Sequence, residues 1–100
     1  MDDGAVSVFQ ELSLFGGRAT LVWGYRPIAV LTAWHITKAP GAWKLSASLE
    51  RADAWQCQQA AKYQELLFTA PRDKGRWCWP LTDVHVGTHE LRATLGPPLQ

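Results

Sequence analysis

The chain has 100 residues, of which 47% are hydrophobic and 19% are charged, and its formal net charge at pH 7 is +1. This apolar content excludes an intrinsically disordered chain, and the length allows one modest hydrophobic core. The balanced charge provides no long-range field that would attract nucleic acid. A surface this poor in charge favours association with a second copy of the chain or with another protein.

Membrane insertion and secretion are not indicated by the sequence. The longest uninterrupted apolar run covers residues 28–31, far short of a membrane-spanning helix, and the acidic start Met1-Asp2-Asp3 has the wrong charge for a signal peptide. Cys57 and Cys78 are expected as buried thiols, because a domain with this much apolar material needs no disulfide framework. We therefore expect a cytoplasmic single domain over residues 1–100, with frayed ends at 1–4 and 97–100.

The first half of the chain is typical of short strands separated by turns. Paired glycines at Gly16-Gly17 predict a hairpin turn, Arg26-Pro27 predicts a second turn, and Pro40-Gly41 predicts a type II turn. A change in alternation phase at residues 9–11 predicts a bulge or a tight turn. The predicted strands cover residues 5–8, 12–14, 18–25, 28–37 and 43–51. The fourth of them is apolar on both faces and is therefore expected to be central, whereas the fifth alternates cleanly between apolar and polar positions.

The hydrophobic period changes after the fifth predicted strand. Asp53, followed three residues later by Gln56, is a variant of the capping box, and good helix formers follow it. These signals predict one helix near residues 54–63. The small residues of its inner stripe would let the helix lie close to a sheet, and they are predicted to be Ala54, Cys57 and Ala61.

The remainder of the chain returns to strands. Residues 64–70 either end the helix or form a short strand, and we favour the strand, which would form a hairpin with residues 76–81. Pro80 has no N–H donor, which predicts that this second strand lies at a sheet edge or ends there. Residues 84–95 predict a final hairpin around Gly87-Thr88. Six to eight short strands with one helix predict a mainly β, β-rich α+β fold, arranged as a small antiparallel barrel or sandwich.

No residue pattern indicates catalysis or metal binding. His85 and His89 with Cys57 and Cys78 provide two-His two-Cys chemistry, but neither cysteine has a partner two to four residues away as structural zinc sites do. A cysteine nucleophile activated by His35 has no supporting motif. We therefore predict a protein that is not an enzyme and that needs neither a cofactor nor a metal.

The tryptophan content carries the main functional signal. Six tryptophans strain the capacity of a 100-residue core, so one or two are predicted at the surface or at an interface. Trp, Tyr and Arg are also the residues enriched at binding hot spots. The favoured prediction is a domain that binds another protein, or itself as a homo-oligomer, through an aromatic patch. That patch is expected at Trp77, Trp79 and Arg76, or at Trp23, Tyr25 and Arg26.

Single-stranded nucleic acid is the alternative ligand. Small barrels bind single strands by stacking bases on exposed aromatic rings that are flanked by Arg and Lys. The residues expected to serve this alternative are Trp43, Lys44, Arg72 and Lys74. The size and the aromatic-rich β pattern are typical of small accessory proteins of bacteria or their phages, such as inhibitors and structural subunits.

Overall fold

The structure is a computed structural model that describes residues 13–71 and 75–96. Along this part of the chain the elements are β1 (Ser13–Gly16), β2 (Ala19–Trp23), β3 (Arg26–Ala39), β4 (Ala42–Ala52), α1 (Ala54–Lys62), β5 (Leu66–Pro71), β6 (Arg76–Val86) and β7 (Glu90–Leu95). The strand predicted at residues 5–8, the bulge at 9–11 and the frayed ends lie outside the described residues.

Six strands close into an antiparallel barrel. Their order is β3, β2, β5, β6, β7, β4, and β4 pairs back onto β3. β1 is an additional strand that pairs with residues 34–37 of β3, beyond the segment of β3 that pairs with β2. The predicted small antiparallel barrel with one helix is confirmed, and the sandwich alternative is excluded because the sheet closes on itself.

The aromatic centre of the core is Phe68, whose side chain is fully buried. Its ring meets the Trp34 ring edge to face at a centroid distance of 5.2 Å and lies 6.0 Å from the Trp79 ring. Inward-facing leucines from six of the strands surround these rings. A bulge in β3 between Leu31 and Ala33 shifts the alternation by one residue, so that Leu31 and Trp34 are both buried.

Gly16-Gly17 does not form the predicted hairpin turn. β1 and β2 both pair with β3, so the two glycines separate two pieces that lie along the same side of one long strand. Gly16 passes against the Trp34 ring, where an added Cβ would lie 2.5 Å from the nearest ring atom. This close approach of backbone to ring explains the glycine at position 16, and the chain direction does not reverse there.

The turn predicted at Arg26-Pro27 lies earlier in the chain. Gly24 supplies the positive φ angle of +66° that the turn needs, and Arg26 already belongs to β3. The turn between β3 and β4 is as predicted, since Gly41 follows Pro40 with a φ of +80°, as a type II turn requires.

β6 is one long strand where two were predicted. Its first half pairs with β5 and its second half pairs with β7, with a bulge between Thr82 and His85. Pro80 lies where β6 changes partner, and its carbonyl accepts a hydrogen bond from the Gly96 N–H at 2.8 Å. The prediction that Pro80 marks an edge or a strand end is therefore wrong, because a strand tolerates a missing N–H where its pairing changes.

The predicted helix is confirmed, with Asp53 as its N-cap. The Asp53 carboxylate accepts hydrogen bonds from the Gln56 backbone N–H and from Gln56 Nε2, both at 3.0 Å. α1 packs chiefly on β6 and also contacts β2, β3 and β5. The inner stripe differs from the prediction: Cys57 and Ala60 are buried while Ala54 is exposed, because the helix is rotated to direct its middle turn at the barrel.

We predict that Gly16→Ala destabilises the protein by about 1–3 kcal/mol, because the new methyl group overpacks a buried, rigid indole ring. The neighbouring Gly17→Ala is the matched control. A Cβ at Gly17 would meet only a carbonyl oxygen at 3.9 Å, so its free energy of unfolding should change by less than about 0.5 kcal/mol. Urea denaturation of both variants provides the measurement, and equal losses in the two would contradict this account.

Candidate functional site

The end of the barrel opposite α1 contains a cleft of about 640 Å³. Its volume lies within the range of roughly 300–1,000 Å³ that is usual for ligand pockets. The hairpin between β3 and β4, the end of β7 and parts of β1 and β6 form its walls. The lining is mostly apolar and consists of Leu14, Ile36, Lys38, Gly41, Ala42, Trp43, Trp79, Thr94, Leu95 and Gly96. We call this site the barrel cleft.

The floor of the barrel cleft belongs to the hydrophobic core. Ile36, Leu95 and Trp79 are all buried, and only 8% of the Trp79 surface is exposed to solvent. The Trp79 ring is held between Phe68 on one side and Trp77 on the other, where the two indoles stack at 4.9 Å with an interplanar angle of 13°. Because close-packed rings hold it from two sides, the floor is rigid and its shape is set before any ligand arrives.

The rim of the barrel cleft carries an aromatic ring and a cation. Trp43 is half-buried, and Lys38 Nζ lies 5.1 Å from the centroid of the Trp43 ring. This geometry is that of a cation–π contact, which orients the ammonium over the indole face. Among the described residues, Lys38 is the only charged side chain in the lining. The barrel cleft therefore combines apolar surfaces with one positive charge at its entrance.

The residues of the first predicted patch, Trp77, Trp79 and Arg76, do not all lie in the barrel cleft. Trp79 forms part of the cleft floor, and Trp77 is half-buried behind it. Arg76 points to the exterior of the barrel, where its Nη2 donates to Thr69 Oγ1 at 3.2 Å. These residues do not form one exposed aromatic patch, because Trp77 and Trp79 share the inward face of β6 while Arg76 occupies the other face.

The second predicted patch lies at the α1 end of the barrel. The Trp23 ring is half-buried, and its Nε1 donates to Glu65 Oε1 at 2.9 Å. Tyr25 is fully exposed in the turn before β3, and Arg26 is exposed beside it. The two predicted patches centre on β2 and β6, the strands on either side of β5, and each remains a separate candidate surface.

The residues predicted for nucleic-acid binding are also not gathered in one place. Trp43 lines the barrel cleft, whereas Lys44 points outward and donates from Nζ to Thr94 Oγ1 at 2.9 Å. Arg72 and Lys74 lie outside the described residues. Lys38 was missed as a site residue because its proximity to Trp43 depends on the β3–β4 hairpin.

Of the exposed large apolar side chains in the described residues, the sequence analysis selected Tyr25 and missed Phe15, Trp55 and Tyr63. Trp55 is 67% exposed, and it lies on the side of α1 away from the buried Cys57. Helical periodicity would have predicted the exposure of Trp55, because residues two apart on a helix point in nearly opposite directions and Cys57 was expected to face inward. The exposed tryptophan that the composition predicted is thus on the helix, and the strand tryptophans are buried or half-buried.

The cysteines and histidines do not converge on a common centre. Within residues 13–71 and 75–96, no group of three or more His, Cys, Asp or Glu side chains is arranged to hold a metal ion. Both cysteines are free thiols; Cys57 is buried and Cys78 is half-buried. Burial raises the pKa of Cys57 to about 11, and the nearby negative charge of Asp53 acts in the same direction.

A comparison of the chain with protein families, with curated proteins and with solved structures finds no match. The only helix in the described part of the chain, α1, is too short to cross a membrane.

We predict that Cys57 is inert towards thiol reagents in the folded protein. With a pKa of about 11 the thiolate fraction at pH 8 is about one in a thousand, and the side chain is fully buried. The Cys78→Ser variant should release almost no thionitrobenzoate from Ellman's reagent until guanidinium chloride unfolds it. Rapid labelling of the folded Cys78→Ser variant would contradict this prediction.

The same pKa shift predicts a pH dependence of stability. Between about pH 9 and pH 11 the unfolded chain loses the Cys57 proton while the folded chain keeps it, so the free energy of unfolding should fall as the pH rises through this window. Urea denaturation of the protein and of Cys57→Ala at both ends of the window measures the difference. An equal slope in the variant would assign the dependence to other groups.

Proposed function

We propose that this protein is a non-enzymatic binding domain that receives an apolar side chain of a partner protein in the barrel cleft. The observation that carries the proposal is the rigid floor of buried rings beneath an entrance bordered by Trp43 and Lys38. Interface hot spots are of this kind, with one large side chain anchored in a preformed, desolvated pocket. An accessory role as a structural subunit or an inhibitor fits a domain of this size.

The dimensions of the barrel cleft favour a side chain over a row of nucleic-acid bases. Single-strand binding uses several exposed rings spaced along a basic groove. In the described residues, Trp43 is the one half-exposed ring in the cleft, and Trp23 lies at the other end of the barrel. Lys44, which would neutralise phosphate, is turned away from the cleft and bonded to Thr94.

The proposal is tested with N-acetyltryptophan amide, a neutral mimic of a tryptophan side chain in a protein. We expect weak binding, with a Kd of about 1 mM, since a fragment of this size has little surface to contribute. In ¹H–¹⁵N NMR spectra the shifts should be confined to cleft residues, including the indole N–H of Trp43. Shifts spread evenly over the barrel exterior, or no shifts at all, would overturn the proposal.

Two variants with the same new side chain control the experiment. Leu14 lines the cleft and pairs with the buried Ile36, so Leu14→Trp should fill the cleft and abolish the shifts. Phe15 is exposed on the opposite face of β1, so Phe15→Trp should leave binding unchanged. Titration with oligothymidylate at low and high salt adds a second arm, in which salt-sensitive binding would favour the nucleic-acid alternative.

A further inference from the structure

We infer that the exterior of the barrel binds an acidic polysaccharide, a chain of sugars that carry carboxylate groups. The site lies on the outward face of β3, β4, β7 and β6, and among the described residues it shares only Thr94 with the lining of the barrel cleft. It gives the protein a second binding activity that does not depend on the proposed function.

Two adjoining depressions form this site, which we call the exterior groove. The first has a volume of about 400 Å³, and its polar lining includes Thr37, Lys44, Ser46, Asp83, His85 and Arg92. The second has a volume of about 380 Å³, and its polar lining consists of His35, Ser46, Ser48, Glu90 and Arg92. Because Ser46 and Arg92 belong to both depressions, the groove is continuous.

Cross-strand pairing gathers the central side chains of the exterior groove. His35 is paired with Ser46, Ser46 with Arg92, and Arg92 with His85, so one row of residues crosses four strands. Paired residues on one face of an antiparallel sheet have Cβ atoms about 4.5–5.5 Å apart. All four residues are exposed, so a single ligand lying across the strands can contact the whole row.

Two cations in the exterior groove are available to a carboxylate. Lys44 is the diagonal neighbour of Arg92, at a distance of about 7–8 Å. Lys44 Nζ donates to the Thr94 hydroxyl at 2.9 Å, which uses one of its three donors. Arg92 Nη2 lies 3.8 Å from Glu90 Oε1, beyond hydrogen-bond distance. Both side chains therefore retain donors for the strong, charge-assisted hydrogen bonds that a carboxylate accepts.

The acidic residues of the exterior groove select a ligand that is not merely an anion. Asp83 and Glu90 line the two depressions and would repel a ligand that offers only negative charge. A sugar acid also offers hydroxyl groups, which donate to carboxylates and exchange hydrogen bonds with serine and histidine. A nucleic-acid strand carries a phosphate at every nucleotide and is disfavoured by the same two residues.

Asp83 takes its place in the exterior groove through an unusual backbone conformation. It lies in the bulge of β6 between Thr82 and His85, and its φ angle is +50°. Residues other than glycine seldom adopt this conformation, although aspartate tolerates it better than most. Bulges redirect side chains and are common beside binding sites. The acidic residue is thus set into the groove by a local departure from regular pairing.

The composition of the exterior groove repeats along β4. Each depression combines Ser46 and Arg92 with one histidine and one acidic residue, which are His85 and Asp83 in the first and His35 and Glu90 in the second. Two neighbouring sites of the same composition suit a ligand made of repeating units. This repetition favours a polysaccharide over a single sugar acid.

An exposed aromatic ring extends the row at its β1 end. Phe15 is paired with His35 and is 73% exposed. The apolar face of a sugar ring can pack on such a side chain, which buries its surface without requiring a polar partner. The inference therefore accounts for an exposed phenylalanine that the barrel core does not use.

The test is an NMR titration of the full chain with tetramers of galacturonate, mannuronate and glucuronate. We expect a Kd of about 1 mM for the best of the three, since the groove is open and the sugars are strongly hydrated. Shifts in ¹H–¹⁵N spectra should centre on Ser46 and Arg92. The methyl esters of the tetramers, which lack charge, and tetraglutamate, which lacks hydroxyl groups, should each bind at least about ten-fold more weakly.

Two arginine variants separate the groove from general charge attraction. Arg92→Ala removes the cation that both depressions share and should weaken binding at least about ten-fold. Arg26→Ala removes one exposed positive charge outside the groove, so its affinity should be unchanged. Circular dichroism of each variant checks that the fold is retained.

Asp83→Asn distinguishes a sugar acid from a simple anion by the sign of its effect. Asparagine also tolerates a positive φ angle, so the bulge is retained. If the Asp83 carboxylate accepts hydrogen bonds from sugar hydroxyls, its loss should weaken binding about five-fold, because charge-assisted bonds are the stronger ones. If the groove binds anions only, removal of a negative charge should strengthen binding.

Four results would overturn the inference: no binding of any tetramer, equal binding of tetraglutamate, tighter binding of Asp83→Asn, or tighter binding of oligothymidylate than of every tetramer. Leu14→Trp, which fills the barrel cleft, should bind the tetramers as the unmodified protein does. The tetramer titration and the N-acetyltryptophan amide titration therefore succeed or fail separately.

Discussion

The contact of Phe68 with two tryptophans joins the barrel core to the cleft. Trp34 meets the Phe68 ring from β3, and Trp79 meets it from β6, so one buried ring connects two strands that are not neighbours in the sheet. The cleft floor depends on this arrangement because Trp79 is held between Phe68 and Trp77. A smaller residue at position 68 would free the floor to collapse into the core.

The position of the Trp34 ring imposes a constraint on the backbone around it. Its Nε1 is buried and has no hydrogen-bond partner in the described part of the chain, which costs about 1–3 kcal/mol relative to a satisfied donor. The ring also allows no side chain at Gly16. The free energy gained by burying the Trp34 indole against Phe68 offsets these costs. Because position 16 has no side chain, β1 lies close to the core and forms one wall of the cleft.

The helix and several strands could be predicted from signals within a few consecutive residues. The roles of Gly16 and Pro80 and the position of the cleft depend on contacts between residues distant in sequence. The Asp53–Gln56 cap and the Gly41 turn are contained in a few consecutive residues, and both occur as predicted. Gly16 and Pro80 were misinterpreted because their roles come from a ring and from a change of partner strand that are distant in sequence. The barrel cleft could not be predicted for the same reason, since β1, β3, β4, β6 and β7 meet there only after closure.

Among residues 13–71 and 75–96, the two ends of the barrel differ because α1 packs at one of them. α1 approaches the barrel closely because the residues on its buried face, Cys57 and Ala60, are small. A large ring in this nine-residue helix therefore lies on its exposed face. Its exposed tryptophan is therefore a consequence of how the α1 end is closed. At the opposite end, buried residues of the core, Trp79 among them, form the floor of the barrel cleft within the described part of the chain. One set of packing choices thus leaves an exposed tryptophan at one end of the barrel and an apolar cleft at the other.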